Sequence, residues 1–320
     1  MLNKKTISVL VPCFNEEENV VPMRDALISL FKNELINYNY EIVYIDNCST
    51  DNTRSLIREM CKNDKNIKAI FNSRNFGQFN SPFHGIINTT GDCTVGIACD
   101  FQDPVELIPE FVKAWEEGYK VVIGIKKQTS GNKIMHGLRA LYYKALRKMS
   151  EIEIIEQYSG FSLFDKQFVS ELKKLKDPTP FFRGMVAELG FSRKEIEYVQ
   201  PERRAGKTHN NFFTLYDAAM LSFTSYTKVG LRLCTFVGVF VAFVSFLIGL
   251  IYLVLKCLYW YEFSAGTAPV LIGMFMLGAV QLIFLGLIGE YTMSINQRVM
   301  NRPIVVEEER INFKDERNKE

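Results

Sequence analysis

Neither G-x-G-x-x-G nor G-x-x-x-x-G-K-[ST] occurs in the 320 residues. Dinucleotide and P-loop sites use such glycines to bring backbone N–H groups against phosphate, so hydride transfer or ATP hydrolysis by those routes has no cradle here. Cysteine is sparse and odd in number: the seven (Cys13, Cys48, Cys61, Cys93, Cys99, Cys234, Cys257) are scattered and form no C-x-x-C pair. That argues against a disulfide framework or a zinc site and fits a reducing, cytosolic face. Histidine is scarcer, and His84, His136 and His209 lie too far apart to suggest a metal cluster. Charge is almost balanced, 38 basic against 36 acidic residues for a net +2, which gives no global reason to expect nucleic acid. The opening "MLNKKTISVLVPCFNEEE" has a short apolar run without a small-residue cleavage site, and is expected to be a buried strand and not a signal peptide.

Long uncharged runs are confined to the C-terminal part. Leu233 to Leu255 and Thr267 to Gly289 hold 23 residues each without a charge, and each reaches roughly 34 Å as a helix against a hydrocarbon core of about 30 Å. Tyr259, Trp260 and Tyr261 between them suit a headgroup interface. Lys228 and Arg232 precede the first run and Arg298 and Arg302 follow the second, whereas the connecting loop carries only Lys256. The positive-inside bias therefore puts both termini in the cytoplasm. Gly273, Gly278, Gly286 and Gly289 allow close helix packing within the hairpin or in a homo-oligomer. The expected organisation is a cytosolic catalytic-type domain over 1–210, an interfacial amphipathic helix over 211–232, a transmembrane hairpin over 233–289 (spans 233–255 and 267–289) and a cytosolic tail over 290–320. Within that tail, residues 307–320 are expected to be solvated and without chemistry.

Before residue 210, β-branched apolar runs alternate with helical patterns. Strands are expected at 6–12, 41–46, 67–72, 93–100 and 120–125, with Asn15 capping a helix through about 33, Ser49 one over 50–63, and Asp103, followed by Pro104, one over 104–117. Strands with no polar face, separated by helices, imply a mostly parallel sheet covered on both sides. Ligands on such sheets bind at the carboxyl ends of the strands. Polar groups converge there from three runs: Pro12-Cys13-Phe14-Asn15-Glu16, Asp46-Asn47-Cys48-Ser49 and Asp100-Phe101-Gln102-Asp103. A diphosphate bound at this edge without a glycine cradle needs a metal ion.

The pieces "SVLVPCFNEEENV", "EIVYIDNCSTDNT", "RNFGQ", "CDFQDPVELIPEFVKAWEEGYKVVIGIK" and "RRAGKTHNNF", followed by two apolar runs, resemble the family 2 glycosyltransferases of the dolichyl-phosphate mannose synthase-like, polyprenyl-phosphate group. The resemblance implies a Rossmann-like nucleotide-diphospho-sugar transferase sheet followed by a two-helix transmembrane hairpin. It also implies inverting transfer from a nucleotide-diphosphate sugar to an undecaprenyl-type phosphate on the cytosolic face of a bacterial membrane, for glycan or cell-envelope modification. Carried over, Pro12, Asn15, Glu16, Asp46, Asn47 and Ser49 would contact the nucleotide, Asp100 and Gln102 would ligate Mg²⁺ or Mn²⁺, and Asp100, Lys126 and Arg203 would serve catalysis. Arg203, Lys207, Thr208 and Arg139 would meet the acceptor phosphate.

This chain departs from the family at three motifs. D-D-G-S reads Asp46-Asn47-Cys48-Ser49; D-x-D-x-Q-D-P has Ala98 for its first carboxylate; and G-D-F-R-L reads Ser159-Gly160-Phe161-Ser162-Leu163. One aspartate suffices chemically, because Mg²⁺ commonly takes one or two carboxylates and completes its shell with phosphate and water. A missing base matters little for a phosphate acceptor, which is already an anion near neutral pH. Residues 126–148 carry Lys126, Lys127, Lys133, Arg139, Lys144, Arg147 and Lys148 without an acid, and with Tyr142, Tyr143 and Leu146 they suggest a basic amphipathic surface facing anionic lipid. A processive polysaccharide synthase is disfavoured by the absence of Q-x-x-R-W. A non-catalytic nucleotide-sugar sensor is the rival from another class, motivated by Ala98 and Gly160.

Overall fold

The structure, a computed structural model, describes residues 4–127, 155, 157–175, 177, 178, 180–201, 204, 220, 223, 229–258, 267–300 and 302–313. The strands are β1 (Thr6–Cys13), β2 (Asn39–Asp46), β3 (Ile67–Asn72), β4 (Cys93–Gly96), β5 (Val121–Lys126), β6 (Tyr158–Asp165), β7 (Arg193–Tyr198) and β8 (Glu307–Ile311). They form one sheet in the order β7-β5-β6-β4-β1-β2-β3-β8. β1, β2, β3 and β4 run parallel, as do β5 and β7, while β6 and β8 are antiparallel to their neighbours.

Val9, Leu10 and Val11 of β1 and Ile42, Val43, Tyr44 and Ile45 of β2 are fully buried, so both faces of the central strands must be covered. Helices α1 (Val20–Asn33), α2 (Thr53–Asn63) and α4 (Ile108–Glu116) cover one face through Met23, Leu27, Ile57 and Phe111. On the other lie α3 (Gly77–Ile87), α5 (Lys166–Leu175) and α6 (Phe182–Glu188), through Phe83, Phe168 and Met185. The expected α/β sheet is present. The fourth expected strand is shorter than 93–100, because the chain leaves the ladder after Gly96 to form the loop bearing Asp100.

Two long helices follow, α7 (Val229–Leu258) and α8 (Thr267–Val299), in contact with each other. Among the described residues one stretch, Met276–Val299, is long and apolar enough to cross a membrane, with a mean hydropathy of 1.5; Thr235–Ile251 is a shorter apolar stretch. The first differs in register from the 267–289 expected. Of the expected 211–232 helix the described residues are 220, 223 and 229–232, the last four forming the start of α7.

Residues 307–311 are not a solvated tail. β8 pairs antiparallel with β3, Ala69 facing Ile311 and Phe71 facing Glu309, and covers the edge that β3 would otherwise expose. The acids that make this segment look solvated are paired across the edge. His84 Nε2 lies 2.6 Å from Glu307 Oε1, which Arg310 also contacts, and Arg58 Nη2 lies 2.7 Å from Glu309 Oε2. Burial works against ionisation of Glu307, but His84 and Arg310 outweigh it and hold its carboxyl at about 2. A depressed carboxylate stabilises the fold above its unfolded pKa and loses that contribution as pH falls toward the folded one. Glu307→Gln is therefore expected to lower Tm at pH 7, with the gap to wild type closing between pH 4.5 and about 2 in thermal melts. A gap independent of pH would rule out the carboxylate as its source.

Candidate active site

The carboxyl ends of β1, β2, β4 and β5 open on one edge of the sheet, and the backbone there is strained. Asn15, Cys48 and Phe101 have φ of 56°, 67° and 61° in the loops that follow β1, β2 and β4. Non-glycine residues seldom adopt that region, and three in neighbouring strand-end loops mark a constrained site.

Those loops hold one another. The Asn15 N–H donates to Ser49 Oγ (2.9 Å), Thr50 N–H donates to Asn15 Oδ1 (2.8 Å), and the Glu16 N–H donates to Thr53 Oγ1 (2.9 Å). Neither Asn15 nor Ser49 caps its helix: α1 starts after Asn19 and α2 after Asn52, both without a side-chain cap. The oxygens expected to satisfy helix N–H groups instead tie the first two loops together. Glu16 faces Asn19, whose Nδ2 donates to Glu16 Oε2 at 2.6 Å. Pro12 is half-buried at the end of β1.

Asp46 ends β2 with a fully buried side chain. Its Oδ2 accepts from the Ser49 N–H (3.1 Å) and lies 3.3 Å from Arg54 Nε, while its Oδ1 has no hydrogen-bond partner among the described residues. Burial raises its carboxyl above the usual range, with Ser49 and the Arg54 charge pulling the other way. A buried acceptor left open costs stability unless something outside the chain donates to it.

Asn47 beside it is committed inward. Its Nδ2 donates to Asn75 Oδ1 (2.9 Å) and to the Gly77 carbonyl (3.3 Å); its Oδ1 accepts from Asn72 Nδ2 (3.1 Å) and the Phe76 N–H (2.9 Å). Both ends of the amide therefore shape the loop between β3 and α3.

After β4, Asp100 is buried and its Oδ1 accepts the Gln102 N–H at 3.1 Å, an Asx turn that orients the carboxylate and brings Gln102 round beside it. The Arg204 N–H donates to the Asp100 carbonyl at 3.3 Å, and the Arg204 guanidinium lies 5.3 Å from the Phe101 ring. Asp103 does not cap a helix. The chain first makes a 3-10 turn, Val105–Leu107, and α4 then starts with Pro109 in its first turn and no side-chain cap. Asp103 Oδ1 instead accepts from the Tyr198 hydroxyl (2.6 Å) and Oδ2 from the Ala98 N–H (3.3 Å), which ties the Asp100 loop to the end of β7. Burial raises the Asp103 carboxyl; the Tyr198 bond and the charge of Lys126 oppose that rise, and the Asp100 charge adds to it.

Lys126 ends β5 opposite Tyr198, so its charge joins Asp100 and Asp103 at this edge. Gly160 in β6 has φ 109°, a conformation in which an aspartate would be strained, and Ser162 is fully buried with its hydroxyl donating to the Gly160 carbonyl (2.9 Å). The departures at 160 and 162 thus suit one local backbone. Arg139, Arg203, Lys207 and Thr208 lie outside the described residues. Tyr198 and Arg54 were not legible as site residues: Tyr198 closes the charged run "RKEIEY", and Arg54 reads as an ordinary first-turn cation.

Residues 8–173 match the model of glycosyl transferase family 2. The chain belongs to that family. It is 33% identical over 298 residues to the SfII prophage-derived bactoprenol glucosyl transferase of Shigella flexneri, covering 93% of this chain and 96% of that one. It is 32% identical over 286 residues to a prophage bactoprenol glucosyl transferase homolog of Escherichia coli K12, covering 89% and 92%. Among solved structures, the glucosyl-3-phosphoglycerate synthase of Mycobacterium tuberculosis aligns with a TM-score of 0.47 at 19% identity, covering 69% of this chain and 76% of that one.

As a glycosyltransferase, the chain must bind a donor and stabilise its leaving group. Among the described residues no three His, Cys, Asp or Glu side chains group as a metal cage. Asp100 with Gln102 offers one carboxylate and one amide oxygen. That all-oxygen pair fits Mg²⁺ or Mn²⁺ when a diphosphate supplies further ligands, and fits a stand-alone metal site poorly.

Proposed function

We propose that this glycosyltransferase moves a sugar, with inversion, from a nucleotide-diphosphate donor to a polyprenyl phosphate at the membrane surface. The observation that carries this reading is one strand-end edge on which Asp46, with a buried oxygen that has no partner among the described residues, ends β2 while Asp100 and Gln102 follow β4 and Lys126 ends β5. The names of the bactoprenol glucosyl transferases support the acceptor class.

In this mechanism Asp46 Oδ1 accepts from the base or ribose, and Pro12 and Glu16, at and just beyond the neighbouring end of β1, contact the nucleotide with it. Asp100 and Gln102 would hold the divalent cation, which when bound would neutralise charge on the departing diphosphate. Lys126 adds positive charge beside the transferring group, and Arg203, Lys207, Thr208 and Arg139 are assigned to the acceptor phosphate. A phosphate oxygen forms the new bond to the anomeric carbon as the bond to the nucleoside diphosphate breaks on the opposite face. Because the phosphate is already an anion, no side chain has to remove a proton. Asp103, pinned by Tyr198 and the Ala98 N–H, holds the loop and is not used as a base.

Membrane attachment through α7 and α8 belongs to this proposal. The position of β8, which comes after α8 yet lies in the sheet that precedes α7, supports two crossings, because an even number returns the chain to the side it left. Phe240 (67% exposed) and Leu282 (71% exposed) represent a large apolar surface that water would not tolerate. Both termini then lie on the cytoplasmic side.

Full-length protein in detergent, given a panel of nucleotide sugars with undecaprenyl phosphate, is expected to form a lipid-linked sugar with one of them and to lose that activity in EDTA. No product from any donor would remove the acceptor reading, and activity indifferent to EDTA would remove the metal.

A further inference from the structure

Arg54 stands between the donor pocket and the C-terminal strand. Its Nη2 donates to Glu308 Oε2 at 2.7 Å across a sequence separation of 254 residues, and its Nε lies 3.3 Å from Asp46 Oδ2. The guanidinium carbon is 5.1 Å from the centre of the Phe71 ring at the end of β3. The Arg54 side chain is 18% exposed, Asp46 is not exposed at all, and Glu308 is 52% exposed. Arg54 is thus held by a ring, by a hydrogen bond to a carboxylate on β8, and by an ion-pair approach to Asp46 that involves no hydrogen bond from Nε.

The geometry points to β8 as part of the donor site: Glu308 is a positioning residue that keeps Arg54 against Asp46 and so leaves Asp46 Oδ1 aimed at the nucleotide. This rests on the donor reading of Asp46 given above. A long arginine side chain has many rotamers, and only some place Nε beside Asp46. With Glu308 gone, the outer nitrogens prefer water and the guanidinium swings away. Asp46 would then keep its hydrogen bonds from the loop at Cys48 and Ser49 but lose the charge of Arg54 in a buried place. α8 ends at Val299 and β8 begins at Glu307, so the strand that sets Arg54 is tied closely to the long apolar helix.

The adjacent residue supplies a control. Arg58 donates from Nε (2.9 Å) and Nη2 (2.7 Å) to Glu309 Oε2, an ion pair on the same strand and over the same ring, without a contact to Asp46. If these pairs only fasten β8, removing either acid should act alike.

The test is calorimetric titration of UDP, GDP, ADP and CDP with Mn²⁺ into the full-length protein, for wild type and for Glu308→Ala, Glu309→Ala and Glu308→Gln. For the nucleotide that wild type binds, Glu308→Ala is expected to raise Kd about three- to tenfold. Glu309→Ala should stay within about twofold, and Glu308→Gln, which keeps an acceptor oxygen, should recover most of the affinity. In turnover assays the Glu308→Ala defect should fall on donor KM and not on kcat. Equal Kd changes for the two alanine variants, or none, would overturn the positioning role while leaving the donor reading intact. A wild-type protein that binds none of the four nucleotides would overturn the donor reading, and the role of Glu308 with it.

Discussion

Asp100→Asn is expected to lower kcat/KM by about 100- to 1,000-fold while leaving the fold in place. An amide oxygen replaces Oδ1 without changing shape, so the Gln102 N–H keeps its acceptor and the turn that shapes the loop survives. What disappears is the negative charge. On the proposed mechanism that charge, with Gln102, holds the divalent cation against the diphosphate, and this chain has Ala98 where the family carries a second carboxylate. With no second carboxylate in the proposed ligand pair, and Asp103 engaged by Tyr198 and the Ala98 N–H, the loss should be close to complete at low metal and partly reversed by millimolar Mn²⁺. Titrating Mn²⁺ against protein saturated with nucleoside diphosphate gives a readout separate from turnover: the apparent metal affinity should fall by at least about tenfold. An Asp100→Asn enzyme with wild-type kcat/KM and metal affinity would place the cation elsewhere, and the proposed site would fail with it.

β1 to β5 were legible because their runs are largely apolar and each central run ends where the chain must turn to a helix, whereas β6 and the charged alternation of β7 were not expected as strands. Asp46 and Asp100 were legible for the same reason, being the first charged residues after those runs. The role of the polar residues around them was not. Asn15, Ser49 and Asp103 each stand where a helix cap is expected, yet each bonds to a neighbouring loop or strand end. Cap preference and loop tying draw on the same short oxygen-bearing side chains, and local sequence does not reveal which N–H group tertiary packing brings nearer. Cys48 illustrates the converse. Its φ of 67° explains the glycine that the family motif D-D-G-S carries there, a backbone requirement no composition argument reveals. β8 escaped notice because its alternating acids suggest solvent, when their partners Arg54, Arg58 and His84 lie far away in sequence.

Restoring the family residue at position 47 is expected to damage the enzyme. An aspartate there could keep the two bonds that Asn47 Oδ1 accepts, from Asn72 Nδ2 and the Phe76 N–H. Its second oxygen would replace Nδ2 and face two acceptors, Asn75 Oδ1 at 2.9 Å and the Gly77 carbonyl at 3.3 Å. Asn75 has little freedom to turn its amide and repair the clash, because its Oδ1 also accepts the Gly77 N–H at 2.8 Å and that bond would be lost. Two lost hydrogen bonds and a charge pressed on acceptors at a site only 8% exposed should cost roughly 2–4 kcal/mol of stability. The loop from Arg74 to Gly77 would shift beside Asp46, and donor KM should rise about tenfold, by a loss of fixed geometry and not of charge. Denaturant melts and donor saturation curves of Asn47→Asp measure both effects. The opposite result, a variant as stable as wild type with a lower donor KM, would mean that Asn47 faces the nucleotide as the family motif suggests, and that its four inward bonds are incidental to the site.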